Sequence, residues 1–586
     1  MKIVGLAAVH PRSALTLAVR MRVWSISLFV VVGGLTMSGQ FWRLGRFAVL
    51  SEAVAAESCE GELPEDADPP QVAVGERLFL ETRFAQFFFA NSNGNANAVL
   101  AAGDPVTDTT QTTGDPFPGP FAGQSMNCRQ CHFVDEHLTT PGAPASGVRT
   151  YADFARRSPV PQREDGKLTT PRNSPPLVNA SLARKDGVLF HFDGEFATMK
   201  DLVKATLTGR NYGWLPGEQD QAIAHIVHII RDDDGTGALA QQSGGAYRLV
   251  FQGMDPSVPP EFCLPAPERM VNFDTASDEE IFDTVAALIA IYVRSLTFTR
   301  DDDRAFSASP YDVFLLKNGL PRKPEDETAL AYSRRLRGLI EGLANPQFVT
   351  PADGSFLLHA QEFVFGPEEL AGLKLFFAEP DTAASRSAGN CIACHNAPNF
   401  TDFGFHNTGA TQEEYDAIHG QDMFAALTIP DLATRNANFD AFLPPTAAHP
   451  QAKGPFREVP VLDAPDITDL GLWNVFANPD LPAPQEKLAT VLIQAHGDLS
   501  EEQLLGKTIA AFKTAGLRDL GQSGPYLHTG GKDTLEDVIK FYRTVSDLVR
   551  AGKLRNPDPE IGRIQLTPDD ITPLRSFLRS LNEDYS

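Results

Sequence analysis

The chain has 586 residues, 42% of them hydrophobic and 21% charged, so it has ordinary globular composition and enough length for more than one core. A formal net charge of −25 repels phosphate backbones and excludes nucleic acid as a natural partner, leaving a basic protein or a neutral substrate. Phe is abundant at 39, against 10 Tyr and 4 Trp, which suits large apolar pockets.

Residues 1–56 read as a leader. Arg12, Arg20 and Arg22 precede an apolar run from Val23 to Met37, long for a signal peptide and short for a membrane span. The small residues Ala53-Val54-Ala55-Ala56 follow, so cleavage is expected near Ala55 or Ala56, with an uncleaved N-terminal membrane anchor as the alternative. Either way the body is expected outside the cytoplasm, periplasmic or otherwise exported. Of the six cysteines, Cys59 and Cys263 stand apart; they are either a disulfide of an oxidising compartment or two unrelated thiols.

A helix is expected within "VGERLFLETRFAQFFF" (Val74 to Phe89). It leads to "CRQCH", Cys128, Cys131 and His132, with His137 nearby as a surface residue. Asn173 precedes Ser174-Pro175 and reads by itself as a turn residue. "MKDLVKATL" (Met199 to Leu207) and "DEEIFDTVAALIAIYVRSL" (Asp278 to Leu296) show helical periodicity. Asp301 to Asp303 and Ser307 to Pro310 mark an exposed break, and Pro324 to Leu343 is another amphipathic helix. "LAGLKLFFAEP" (Leu370 to Pro380) repeats the Gly-x-x-Leu-Phe pattern of the first helix and leads to "CIACH", Cys391, Cys394 and His395. Phe442 to Pro484 has little periodicity and reads as a long ordered loop or insertion. In "GPYLHTGGKDTLEDVIKFY", Thr534 and Asp537 form a capping box before an apolar stripe of Leu535, Val538, Ile539 and Tyr542. "TPDDITPLRSFLRSL" (Thr567 to Leu581) is a capped terminal helix. Period-2 alternation is scarce, so the fold is expected to be mainly α.

C-x-x-C-H is the attachment signature of haem c. Two thiols three residues apart share one side of a helical turn, where both can add to the vinyl groups of one porphyrin. The following His then reaches iron from beneath the ring. Zinc needs four ligands at short spacing, and neither cluster has a second pair close by in sequence. Two such clusters in a Cys-poor chain predict two covalently bound haem c groups. The architecture expected is two cytochrome-c-like haem domains with long loops and insertions, one over 57–320 and one over 321–586.

With "GERLF", "MNCRQCH", "PRNSPPLVNASL", "FHFDGEFATMKDL", "CIACHNAPNFTDFGFHNTG" and "GQSGPYLHTGG" in order, the chain resembles the bacterial di-haem cytochrome c peroxidases and their MauG-like relatives over most of 74–586. Insertions fall around 325–365 and 410–505. The resemblance implies that the N-terminal haem, held at iron by His132, meets hydrogen peroxide and that the C-terminal haem, held by His395, relays electrons. It places a second axial ligand of the C-terminal haem fourteen residues beyond His528, at Tyr542. Peroxidases of the family use Met there and MauG-like enzymes use Tyr, whose oxygen favours ferric iron and lowers the potential. The other reading of Tyr542 is a core residue. The resemblance also implies one calcium ion between the haems, on the Asn173 side-chain oxygen and the carbonyls of Ser523 and Pro525.

The chain departs from that pattern at the N-terminal site. No His occurs over 142–170, where resting peroxidases carry a blocking ligand, so this haem is expected to be open. The family's distal Gln and Glu fall on Leu202 and Tyr212, and its inter-haem Trp on Phe192. Tyr212 and Arg210, with Asn211, remain as distal-side candidates, and Glu218 if the register slips. His191 is expected at the surface rather than at the haem. The function these residues favour is peroxide reduction with electrons from a small cytochrome c or cupredoxin. The alternatives are a MauG-like or rubber-oxygenase-like oxidase using peroxide or dioxygen on a protein or organic substrate, and a non-enzymatic dihaem electron carrier.

Overall fold

The computed structural model describes residues 59, 63, 67–100, 126–128, 131–132, 138–139, 148–149, 157–158, 160, 163–182, 187, 189–270, 272–356, 359–380 and 387–584. The leader expected over 1–56, His137 and most of the 142–170 loop lie outside them. The fold is mainly α. Among the described residues the named strands are two antiparallel pairs of two-residue pieces: β1 (Leu138–Thr139) with β2 (Val148–Arg149), and β3 (Phe405–His406) with β4 (Phe512–Lys513).

In the first half, α1 (Pro70–Phe79) starts on a proline and buries Val74, Leu78 and Phe79. It leads through α2 (Gln86–Asn91) toward the first cysteine cluster. Next come α3 (Met199–Leu207), capped where Thr198 Oγ accepts the Asp201 N–H, and α4 (Gln219–Asp232). Then α5 (Asp278–Ser295) begins in a full capping box, Ser277 with Glu280, and carries Asp278 and Glu279 in its first turn and Arg294 in its last. Its inner face buries Ile281, Phe282, Val285, Leu288, Ile289 and Tyr292, each worth about 1.5–3 kcal/mol for the larger aliphatic and aromatic side chains. The Gly75 of "GERLF" explains the close crossing of α1 on α5: a Cβ there would lie 2.3 Å from the Leu288 carbonyl oxygen.

The second half repeats this arrangement. After α6 (Pro310–Lys317) and α7 (Ala329–Glu341), α8 (Pro367–Phe377) crosses the terminal α9 (Ile571–Arg579) at Gly372, where a Cβ would lie 1.9 Å from the Pro573 carbonyl oxygen. The Gly-x-x-Leu-Phe repeat is thus a repeated helix crossing, glycine at the contact and Phe in the core. The α7 helix starts later than its apolar pattern suggests, because Thr328 caps it and the stretch from Pro324 is a turn. A further helix, Leu535–Arg550, is capped by Thr534 as expected and buries Leu535, Ile539, Phe541 and Val545; Val538 and Tyr542 are half-buried.

Apolar side chains gather accordingly. One core draws on residues from 59 to 293 and a second on residues from 311 to 581. A third, from Phe405 to Ala511 with Leu189 from the first half, belongs to the inserted segment. The stretch 442–484 that lacks periodicity is ordered around Arg435, whose fully buried guanidinium donates to the carbonyls of Trp473, Phe476 and Ala477. A side chain here satisfies irregular backbone that no helix or sheet would. Cys59 and Cys263 are joined in a disulfide, Cα to Cα 5.7 Å, which settles that pair in favour of the crosslink.

Candidate cofactor sites

At the first cluster the N–H groups of Cys131 and His132 both donate to the Cys128 carbonyl, at 3.1 and 3.0 Å. His132 bonds through Nδ1 to the Pro175 carbonyl at 3.0 Å, which fixes the tautomer and leaves Nε2 with a lone pair for a metal. Burial lowers its pKa to about 4, so the ring is neutral, as a metal ligand must be. Burial also raises the thiols of Cys128 and Cys131, to about 12 and about 11. Neither belongs to a group of metal-ligating side chains among the described residues, which argues against zinc.

The second cluster repeats the geometry. The His395 N–H donates to the Cys391 carbonyl at 2.7 Å, and His395 Nδ1 meets the Phe400 carbonyl at 3.0 Å. Burial again holds the ring below its ordinary pKa. Beside Cys394 sits a feature that sequence reasoning missed. His406 Nε2 meets Asp402 at 2.9 Å and Nδ1 meets Asp558 at 2.6 Å. Burial alone would lower this ring, but the two carboxylates outweigh it and hold His406 protonated far above the usual histidine range. Cys394, Asp402 and His406 cluster closely enough for a metal, yet the carboxylates are already paired to a cation. Tyr542 packs against the small core of Phe541, Val545, Ile561 and Ile564, and burial first, then Cys394 and Cys391, push its phenol well above 10.

Two adjoining cavities open from the first cluster. Both are lined by Cys131, His132, Asn173, His191 and Phe192. One reaches Tyr212, Leu202 and Arg457; the other runs toward Lys513, Arg518 and Ser523 of the second half. Between the halves the Phe192 and His528 rings lie 6.5 Å apart, and His528 stacks on Phe512 at 3.5 Å. The His528 carbonyl accepts the Asn173 N–H at 2.7 Å.

Of the distal-side candidates, Tyr212 lines the cavity with its hydroxyl 3.1 Å from Cys128 Sγ, and burial raises it well above 10. Asn211 lines it too. Arg210 does not; it is engaged by Glu458 at 3.2 Å, because the inserted segment presents that carboxylate to it. Glu218 is also elsewhere, accepting the Leu215 N–H at 2.6 Å. His191, expected at the surface, is a cavity residue, because the tight turn at Gly194 folds residues 190–196 back on themselves through the Phe190–Phe196 bridge. Of the calcium candidates, the Asn173 amide N–H donates to the Pro525 carbonyl at 2.5 Å, and Ser523 lines the same cavity as Asn173.

The inserted segment reaches the first site through a network that no local pattern announces. Arg172 pairs with Asp469 and with the fully buried Asp193. Arg457 pairs with Glu195, Arg157 with Glu414, and Lys167 with Glu458. Among the described residues no helix is long and apolar enough to cross a membrane.

No family model and no curated protein matches the chain. Among solved structures it is similar to a MauG-like protein associated with microbial copper homeostasis, with 15% identity, 90% of this chain and 93% of that one covered, and a TM-score of 0.39. It is also similar to the diheme peroxidase BthA from Burkholderia thailandensis E264, at 16% identity, 88% and 87% coverage and a TM-score of 0.35. A tyrosine-to-methionine variant of that peroxidase matches at a TM-score of 0.34, with the same identity and coverage.

Proposed function

We propose that the protein is an exported di-haem c oxidoreductase that reduces hydrogen peroxide with electrons from a small cytochrome or cupredoxin. One observation carries the reading: two Cys-x-x-Cys-His turns, each with its His Nδ1 tied to a backbone carbonyl, differ in what faces them. At the second, Cys394 and Cys391 both act on the Tyr542 phenol. The first opens on a cavity that Leu202 and Tyr212 help to line.

The residues fit the group. Cys128 and Cys131, and likewise Cys391 and Cys394, would form the thioethers, and His132 and His395 would bind iron through Nε2. Bound at the first site, a haem supplies a redox iron at which peroxide takes up electrons. Around it the chain holds His132 neutral and oriented through Pro175, and keeps Leu202 against the cavity as a water-excluding wall. Phe192, in place of an oxidisable Trp, separates the two sites and is itself hard to oxidise. The Asn173 side-chain oxygen with the Pro525 and Ser523 carbonyls would hold the proposed calcium, in place of the bond that the Asn173 amide now donates to Pro525. Export is supported by the leader and by the Cys59–Cys263 disulfide. A net charge of −25 favours a basic donor, bound more weakly as salt rises.

Spectroscopy of the purified ferric protein, with and without peroxide, tests this. Two haem c per chain and a high-spin ferric signal that vanishes with peroxide are expected. Two six-coordinate irons inert to peroxide would leave only the electron carrier. Tyr542 favours a second reading, a MauG-like oxidase of a protein or organic substrate. Fast oxidation of a reduced small cytochrome would select the peroxidase. Tyr542→Met is expected to raise the C-terminal haem potential, axial-ligand changes spanning up to about 0.8 V across haem proteins. An unchanged C-terminal spectrum in that variant would remove Tyr542 as a ligand.

A further inference from the structure

The proposed peroxide chemistry needs a group that moves a proton between the two peroxide oxygens, and at the positions where the family carries it this chain has Leu202 and Tyr212. Leu202 has no proton to give. The Tyr212 hydroxyl is occupied by Cys128 Sγ and held far from neutral ionisation by burial. Apart from the attachment residues and Tyr212, the titratable or charged side chains that line this cavity among the described residues are Arg172, His191 and Arg457. Arginine stays protonated and cannot relay. His191 remains, and a neutral imidazole can accept a proton at one nitrogen while donating from the other.

Its setting is that of an oriented base. His191 Nδ1 lies 3.0 Å from a Glu195 carboxylate oxygen, so Glu195 takes that N–H and leaves Nε2 as the nitrogen not engaged by the pair. Glu195 is gripped in turn by both terminal nitrogens of Arg457, one of them at 2.9 Å. Burial would raise the Glu195 carboxyl, but Arg457 and then His191 outweigh it, so it stays ionised below the usual range. The imidazole is further braced edge-on against Phe196, ring centres 5.0 Å apart. The other charged or titratable groups around it are Asp193, Arg172 and, across the cavity, His132.

We propose that His191, aligned by Glu195 and by Arg457 of the inserted segment, is the proton-handling residue of the N-terminal haem cavity. It would take the proton from one peroxide oxygen and return it to the other, which would leave as water with the O–O bonding pair, while two electrons from the donor protein and two protons from solvent would convert the oxygen left behind to a second water. The reductant is the donor protein of the proposed function, through the haem pair. Arg457, beside the cavity, stabilises negative charge as the bond breaks. His191 would be a catalytic residue, with Glu195 and Arg457 positioning it. The inference rests on the first site being a haem that meets peroxide, and one probe tests it without that premise: hydrogen cyanide must lose a proton as it binds ferric haem.

The experiment is stopped-flow binding of potassium cyanide, beside reaction with peroxide, for the ferric holoprotein, His191→Gln and Glu195→Gln. Haem content and the C-terminal haem spectrum serve as loading controls. His191→Gln is expected to slow both reactions about 100-fold at neutral pH, and to alter the pH profile of cyanide binding. Glu195→Gln, which keeps the shape and covers the case in which His191→Gln does not load, is expected to slow both about tenfold. Rates within about twofold of the parent in both variants, or cyanide binding untouched while melting falls, would overturn the proposal. So would conversion of a low-spin N-terminal signal to high-spin in His191→Gln, since His191 would then be an iron ligand. A parent inert to peroxide, whose cyanide binding still depends on His191, sinks the peroxide reading and keeps the proton carrier. Peroxide reaction unchanged in His191→Gln does the reverse.

Discussion

The two Cys-x-x-Cys-His sites share a backbone solution and differ in their surroundings. Each is preceded by a helix whose glycine lets it press on a second helix, and each ties its His Nδ1 to a carbonyl 3.0 Å away. At the second, the neighbours come from the same half: Tyr542, and the His406 clamp of Asp402 and Asp558. At the first, the cavity wall is completed by Arg457, and the ion pairs behind it by Asp469, both from the inserted segment of the other half. Local sequence builds the Cys-x-x-Cys-His turns themselves. What surrounds the first of them depends on residues brought from far along the chain.

The glycine crossings give the largest test of the shared part. Gly372→Ala would place a methyl 1.9 Å from the Pro573 oxygen, and Gly75→Ala one 2.3 Å from the Leu288 oxygen, too close for either helix pair to stay seated. Each is expected to lose about 3 kcal/mol or more in denaturant titrations, Gly372→Ala the more. Equal, sub-kilocalorie effects would mean that the crossings yield easily and that the repeat has no packing role.

A smaller effect separates the halves. The disulfide links Cys59 and Cys263, both in the first core, across 204 residues. Replacing both with Ser should lower stability by about 2–5 kcal/mol. Hydrogen exchange should show the loss in α1 and α5 first. Loss spread evenly over α8 and α9 would deny the halves any independence.

The smallest expected effect is a pH dependence confined to the second half. There His359 lies between Asp519 at 2.5 Å and Asp584 at 2.9 Å, and these outweigh its burial to raise its pKa. Burial raises Glu583 to about 7, with the Thr299 N–H donating to one of its oxygens. Both groups hold a proton more tightly in the folded chain. Their stabilisation is therefore complete below the ordinary values, 4.5 for Glu583 and 6.5 for His359, and is lost as pH rises through the folded ones. Melting should fall by about a few degrees from pH 5 to 8. Glu583→Gln should flatten the lower part of that slope and His359→Gln the upper; a slope that survives both changes lies elsewhere.

The legible features were those with a local period or a fixed spacing. The cysteine clusters, the helix Met199–Leu207, the Ser277-to-Ser295 stretch and the Thr534 cap follow from neighbours a few residues apart. The pairs Arg457–Glu195 and His406–Asp558 span 262 and 152 residues, and nothing in either local stretch marks the partner. His191 reads from sequence as a surface residue because groups that line its cavity, Arg457 among them, come from far along the chain. The 442–484 stretch reads as a loop because its order comes from one buried arginine rather than a repeating apolar face.

The long reach of Arg172 to Asp469, 297 residues apart, bears on how such a chain is made. A polypeptide emerges from its N-terminus, so the first cysteine pair is delivered long before Arg457 and Asp469 exist to fold against it. Through that interval the first cavity lacks the side that Arg457 supplies. Completion of the second half then closes it. The wall of that cavity is therefore complete only when nearly the whole chain has been synthesised.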